Sequence, residues 1–236
     1  MLAKLLFSEQ YAFSKGDSVV VIGLGRFGGA VARSLVHLGH DVMGIDRESD
    51  PVHAWADRLT HAVQADATNA MVLRQLGVAD FAHAIVGIGT DVAASLMTLM
   101  ALTELGIKDI WVKALTQEHG KIAQRIGAHH VVYPEADMGV RVANMVTGRL
   151  IDFIELDDGF ALAKIHAPSA THNRKLEESE VRTKYGVTVV GLKRTNEDFK
   201  HATPSTLILP GDLLIVSGPT GQIQRLAGLA KGSEIK

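Results

Sequence analysis

Three glycines and an arginine close the first apolar run of the chain, Val19-Val20-Val21-Ile22-Gly23-Leu24-Gly25-Arg26-Phe27-Gly28. That spacing is suited to holding a phosphate. Gly23 permits a tight turn out of a strand. Gly25 has no side chain to keep backbone N–H groups from a pyrophosphate, and Gly28 lets the following helix pack closely on the sheet. The positive end of that helix then faces the anion. Arg26 and Phe27 lie outside the minimal pattern. Arg26 adds a full positive charge, and a guanidinium grips phosphate oxygens in pairs.

Context decides what a glycine pattern means. The segment after Gly28 has Ala30, Val31, Leu35 and Leu38 on one apolar side and is closed by Gly39. Residues 40–46 then read as a second strand ending in Asp46. That acid lies 18 residues beyond Gly28, near the ~20 expected of a ribose-binding carboxylate. Asp46 disfavours a 2′-phosphate by repulsion, and Arg47 partly offsets this. Further candidates stand where later strands end. Asp66-Ala67-Thr68 offers short side chains and backbone to an adenine edge, although Asp66 and Thr68 are equally suited to capping a helix. Gly87-Ile88-Gly89 leaves room. Lys113 adds a second cation. Arg26 and Lys113 together suit more negative charge than a dinucleotide bridge carries, as in ATP. Equally, Arg26 can lie on the surface and Lys113 can pair with an acid. Glu135, after Pro134, suits the first turn of a helix and could offer an oxygen to a hard cation such as Mg2+ or Ca2+.

The elements that must position these residues alternate. Strands are predicted at 18–22, 40–46, 61–65, 82–86, 109–113 and 129–132. Helices follow between Gly28 and Gly39 and at 51–59, 69–76, 91–105, 116–126 and 135–150. Such alternation predicts a Rossmann-like, doubly wound parallel sheet, with its ligand at the carboxyl ends of the strands. After residue 150 the pattern changes. Residues 151–156 and 161–166 read as a hairpin around Asp157-Asp158-Gly159. Strands follow at 187–192 and 213–217, the last after the turn Pro210-Gly211-Asp212. The predicted organisation is an arm over 1–17, a nucleotide-binding domain over 18–150 and a smaller α+β domain over 151–236.

Composition narrows the classes. The chain has 236 residues, 47% hydrophobic and 21% charged, enough for a buried core and a solvated surface. A net charge of −2 implies no general affinity for nucleic acid. With no cysteine, disulfides, iron–sulfur clusters and thiolate zinc sites are excluded, which fits a reducing cytoplasm. The first ten residues are too short and too soon polar for a secretory signal, and no apolar run approaches the ~20 residues of a membrane span. Any membrane role is expected to work through a partner. The eleven histidines show no H-E-x-x-H pattern, and neither a G-x-S-x-G elbow nor a Walker A motif is present. The segment 91–105 is apolar nearly all round (Val92, Leu96, Met97, Leu99, Met100, Leu102). A helix of that kind is buried on all sides. We expect another subunit to cover its outer side, the alternative being the protein's own second domain.

These segments resemble the RCK (regulator of potassium conductance) family, whose TrkA-N, or KTN, domain is followed by a TrkA-C domain. The likeness is strongest to the cytosolic regulators of Ktr-type potassium uptake systems. It is carried by Gly25-Arg26-Phe27-Gly28, the stretch from Gly39 to Asp46, Ile85-Val86-Gly87-Ile88-Gly89 and Ile110-Trp111-Val112-Lys113-Ala114. Ile126-Gly127-Ala128, Pro134-Glu135-Ala136-Asp137-Met138-Gly139, Tyr185-Gly186-Val187 and Pro210-Gly211-Asp212 extend it. The resemblance implies a gating protein rather than an enzyme. It implies dimers that assemble into an octameric ring beneath a membrane-embedded potassium-translocating subunit, on the cytoplasmic side. ATP would favour the active ring and ADP the inactive one. By the same resemblance Arg26 meets the terminal phosphate, Asp46 holds the ribose, and Glu135 binds a divalent cation near the triphosphate. Some relatives bind cyclic di-AMP between C-terminal domains, and no residue read here decides that for this chain.

Two other readings compete. An NAD(H)-dependent oxidoreductase, or an NAD(H)-responsive regulator, would use the same first domain. Only Lys113 offers itself as an acid–base group. A redox-sensing transcription repressor would need a helix-turn-helix and a basic face, and 17 residues before the first strand are too few.

Overall fold

The computed structural model describes residues 18–146, 150–157 and 159–230. The predicted arm over 1–17, the far end of the helix predicted over 135–150 and Asp158 of the predicted turn lie outside the described residues.

Val19, Val20, Val21 and Ile22 form β1 (Ser18–Ile22) and are at most 1% exposed. A strand apolar on both faces belongs in the middle of a parallel sheet covered on both sides. Strand β1 pairs with β2 (Asp41–Asp46) on one side and β4 (His83–Val86) on the other, both in parallel. The sheet is completed by β3 (His61–Gln64), β5 (Asp109–Lys113) and β6 (His130–Val132), in the order β3-β2-β1-β4-β5-β6. The first three strands form one half and the next three the other, as the alternation predicts. The connecting helices are α1 (Arg26–His37), α2 (Ser49–Trp55), α3 (Ala70–Gln75), α4 (Val92–Glu104) and α5 (Gln117–Ile126), followed by α6 (Pro134–Val146). Helix α2 begins and ends earlier than predicted. Pro51 sits in its first turn, where the missing N–H removes no intrahelical bond, so proline does not mark the start.

The second unit follows from Asp137, the division falling within α6. It begins with the predicted hairpin, β7 (Asp152–Asp157) paired antiparallel with β8 (Phe160–His166). A short segment follows with β9 (Arg174–Lys175), α7 (Leu176–Ser179) and α8 (Val181–Tyr185). Then come β10 (Thr188–Lys193), β11 (Lys200–His201), β12 (Leu207–Ile208), β13 (Leu213–Pro219) and α9 (Thr220–Gly228). Five strands form one antiparallel sheet in the order β11-β10-β13-β8-β7, and β12 pairs with β9. Phe153, Ile165, Leu214, Val216, Ile223 and Leu226 fill its core. The turn into β13 is fixed by Asp212, 2% exposed. It accepts from Leu209 N at 2.8 Å and from Arg194 Nε at 2.9 Å.

Candidate functional site

The carboxyl ends of the strands in the first unit surround a cavity of about 730 Å³, within the range of small-molecule sites. One end of it is built by the turn from β1 into α1. Gly23 takes φ +90°, a left-handed conformation that favours glycine. Gly28 is buried against that turn: a Cβ on it would lie 1.8 Å from Gly23 O. Gly28 therefore packs beneath the cavity while Gly23, Gly25, Arg26 and Phe27 line it. Helix α1 starts at Gly25 with no side-chain cap and no acid in its first turn. By contrast α3, α4 and α5 are capped by the side chains of Asn69, Asp91 and Thr116. The first N–H groups of α1 are thus left to an external acceptor, which is what an anion site requires.

Asp46, at the end of β2, is half-buried and held in place. Its Oδ2 accepts from Leu24 N at 2.7 Å and its Oδ1 from Glu48 N at 3.0 Å. The carboxylate is locked between the glycine turn and the start of α2, and it lines the cavity with Arg47. The Arg47 guanidinium is turned to acids, 3.0 Å from Glu48 and 3.9 Å from Asp91.

Asp66, Ala67 and Thr68 line the end of the cavity nearest β3. Thr68 donates to Asp66 Oδ1 from its N–H at 3.0 Å and from its hydroxyl at 2.7 Å. These hydrogen bonds, followed by the charge of Arg47, hold the Asp66 carboxyl below its ordinary value. Neither residue caps α3. Asn69 does, accepting from Met71 N.

Gly87, Ile88 and Gly89 form the wall next to β4. Gly89 gives Lys113 space, since a Cβ there would stand 2.9 Å from Lys113 Nζ. Lys113 itself is 8% exposed. Its ammonium lies 5.7 Å from the centre of the Phe27 ring and donates to Glu135 Oε1 at 2.6 Å. That hydrogen bond is the main reason the Glu135 carboxyl titrates below its ordinary value. Its own backbone N–H and the charges of Lys113 and Arg26 add to it. So Lys113 both lines the cavity and pairs with an acid; the two roles considered for it coincide.

The fold brings together every candidate residue except Gly28, which supports the turn from below. The cavity is also lined by residues the motifs did not single out: Glu48, Thr90 and Asp91 on loops, Pro51 in the first turn of α2, and Ala93, Ala94, Met97 and Thr98 on α4. The signal that could have found the last group was the strand-end Gly89 followed by Asp91 as a helix cap. It places the first turns of α4 over the ligand crevice. Among the described residues no group of three or more histidine, cysteine, aspartate and glutamate side chains is placed to hold a metal ion.

A Rossmann-like sheet of the nucleotide-binding type, joined to a smaller antiparallel domain, is the class this arrangement defines. Comparison with known proteins agrees. The TrkA-N domain model matches residues 19–134 and the TrkA-C domain model residues 160–231. The chain is 40% identical to Ktr system potassium uptake protein C of Bacillus subtilis, over 87% of its own length and 93% of that protein's. It is 36% identical to Ktr system potassium uptake protein A of Vibrio alginolyticus, over 86% and 93% of the two lengths. The RCK domain of GsuK has the same fold, at 19% identity and a TM-score of 0.62, over 93% of this chain and 48% of that one. A structure of GsuK bound to ADP matches 58% of this chain and 36% of its own at 26% identity, with a TM-score of 0.51. The chain belongs to the RCK family, with TrkA-N and TrkA-C domains, that includes the Ktr potassium uptake proteins.

Proposed function

We propose that this chain is the nucleotide-sensing, non-catalytic regulatory subunit of a potassium uptake system. It would gate a membrane-embedded potassium-translocating partner from the cytoplasmic side by changing the shape of a homo-oligomeric ring. The observation that carries this reading is the sorting of charge along one cavity. Arg26, Lys113 and the uncapped start of α1 stand at one end, and the anchored Asp46 carboxylate stands beyond them. A nucleoside polyphosphate fits that order, phosphates toward the cations and ribose toward the acid. The names of the relatives supply the ion, potassium, and the setting, an uptake system. No helix of the described residues is long and apolar enough to cross a membrane, so the partner would supply the pore.

Arg26 is exposed at the mouth of α1, where a third phosphate reaches further than a second. A ligand shifts an equilibrium only by its preference between two states, and that extra contact is such a preference. Glu135 offers one carboxylate. A Mg2+ or Ca2+ there would need its other oxygens from phosphate and from a second copy of the chain.

Calorimetry with ATP, ADP and NADH tests the reading. Arg26→Ala should weaken ATP by roughly 10- to 100-fold, the worth of a charge-assisted hydrogen bond, and ADP much less. Asp46→Ala should weaken all three. Equal losses for ATP and ADP in the first variant would remove the terminal-phosphate role. NADH binding ahead of both would favour the dinucleotide reading.

A further inference from the structure

Helix α4 carries two hydroxyls on its buried side. Ser95 and Thr98 are both 0% exposed, and neither Oγ has a hydrogen-bond partner. Thr103 on the same helix shows the usual solution, donating to Leu99 O at 2.9 Å one turn back. A buried hydroxyl left unpaired weakens a fold, and native structures hold few of them. The two differ in one respect: Thr98 borders the nucleotide cavity and Ser95 does not.

The place of Thr98 follows from the sheet order. Ribose held at Asp46 and phosphates at α1 leave the base to extend past β2 toward the end of β3. The β3 end and the second turn of α4 are neighbours there, since Thr68 and Met97 border both the cavity and the shallow groove beside it. Ala67, Ala94 and Met97 give that wall apolar surface. The Thr68 hydroxyl is already committed to Asp66. Thr98 is the hydroxyl on this wall with a proton to give. Its Oγ1 is sealed from water, but threonine in a helix has two χ1 positions open to it, and a step of about 120° between staggered wells moves the hydroxyl.

We propose that Thr98 is a base-recognising residue, its hydroxyl donating to a ring nitrogen of a purine lodged between the end of β3 and α4. This rests on the nucleotide reading above and adds to it the residue that senses the base. N1, N3 and N7 of adenine are acceptors only, so the hydroxyl that lacks a partner in the protein gains one from the ligand.

The test is calorimetry with ATP, ADP and the 1-deaza, 3-deaza and 7-deaza analogues of ATP, on the full chain and on Thr98→Val, Thr98→Ser and Ser95→Ala. Thr98→Val should weaken ATP and ADP by the same factor, roughly 3- to 10-fold, while melting no lower than the parent. Thr98→Ser and Ser95→Ala should bind as the parent does. One deaza analogue should bind the parent more weakly by a similar factor and be indifferent to Thr98→Val. Unchanged affinity in Thr98→Val overturns the proposal. So does a loss matched by a lower melting temperature, or a further loss for every deaza analogue. A parent chain that binds no adenine nucleotide overturns the nucleotide reading itself, and this inference with it.

Discussion

Lys113 Nζ lies 2.6 Å from Glu135 Oε1, joining the end of β5 to the first turn of α6. The partners are unlike. The Lys113 side chain is 9% exposed and the Glu135 side chain 63%, so a sheltered cation is answered by an acid that water still reaches. Glu135 neutralises a charge that a terminal phosphate would otherwise meet. Lys113→Met should therefore weaken ATP by roughly 10- to 100-fold and ADP less. Glu135→Gln should do the reverse in the presence of chelator, tightening ATP several-fold because a repelling carboxylate is gone. It should also abolish any gain from added Mg2+. Titrations with and without the metal decide this. A Glu135→Gln variant that still gains from Mg2+ would rule Glu135 out as a cation ligand.

The two glycines of the phosphate turn should separate fold from binding. A Cβ at Gly28 would stand 1.8 Å from Gly23 O, an obstacle that is backbone and cannot swing aside. Gly28→Ala should destabilise the domain by ~1–3 kcal/mol or more, as overpacking does. At Gly25 a Cβ meets nothing within 4 Å and φ is −67°. Gly25→Ala should cost no more than ~1 kcal/mol, the scale of an N-cap change, yet lose nucleotide affinity because the methyl stands where phosphate must approach. Urea melts paired with ATP titrations would show the split; two variants behaving alike would dissolve it.

The glycine turn, Asp46 at a strand end and the division of the parallel sheet into two three-stranded halves were legible because each rests on local pattern: a glycine needing φ > 0, an acid closing a strand, β-branched runs alternating with helical ones. The second unit was less so. Strands β9, β11 and β12 have two residues each, too few to show a period, and β9 finds its partner only in the remote β12, where Leu207 faces Lys175. Helix α9 went unread because Thr220-Gly221 opens it without a capping side chain. In the site, the pairing of Lys113 with Glu135 spans 22 positions and has no sequence signature. Thr98 was hidden for another reason: on an apolar helix a threonine reads as filler, and only its missing partner together with its place on the cavity wall distinguishes it.

Helix α4 should carry a contact between copies of the chain. Leu99 and Leu102 are 0% exposed in the core of the unit, while Met97 and Met100 on the other side are 53% and 50% exposed. Methionine is over-used on surfaces that meet protein, and these two sit beside the mouth of the cavity. Met97→Lys combined with Met100→Glu should lower the assembled mass measured by light scattering and leave the melting of the single chain little changed, since neither residue belongs to the core. An unchanged mass would place the subunit contact elsewhere.

His119 should make stability depend on pH in one direction. It is 3% exposed in α5. Its Nδ1 accepts from Leu115 N at 3.3 Å, and its Nε2 is buried without a partner. Burial pushes the imidazole below its ordinary value. A second proton would also take the lone pair that Leu115 uses. The unfolded chain binds that proton near pH ~6.5, the folded one only at lower pH. The contribution is therefore complete above about pH 6.5 and is lost as pH falls through the folded value. His119→Asn keeps an acceptor but does not titrate. It should be less stable at pH 7.5, yet its stability should fall less steeply than the parent's between pH 7 and 5.5. Parallel curves from urea melts across that range would show that His119 is not the group responsible.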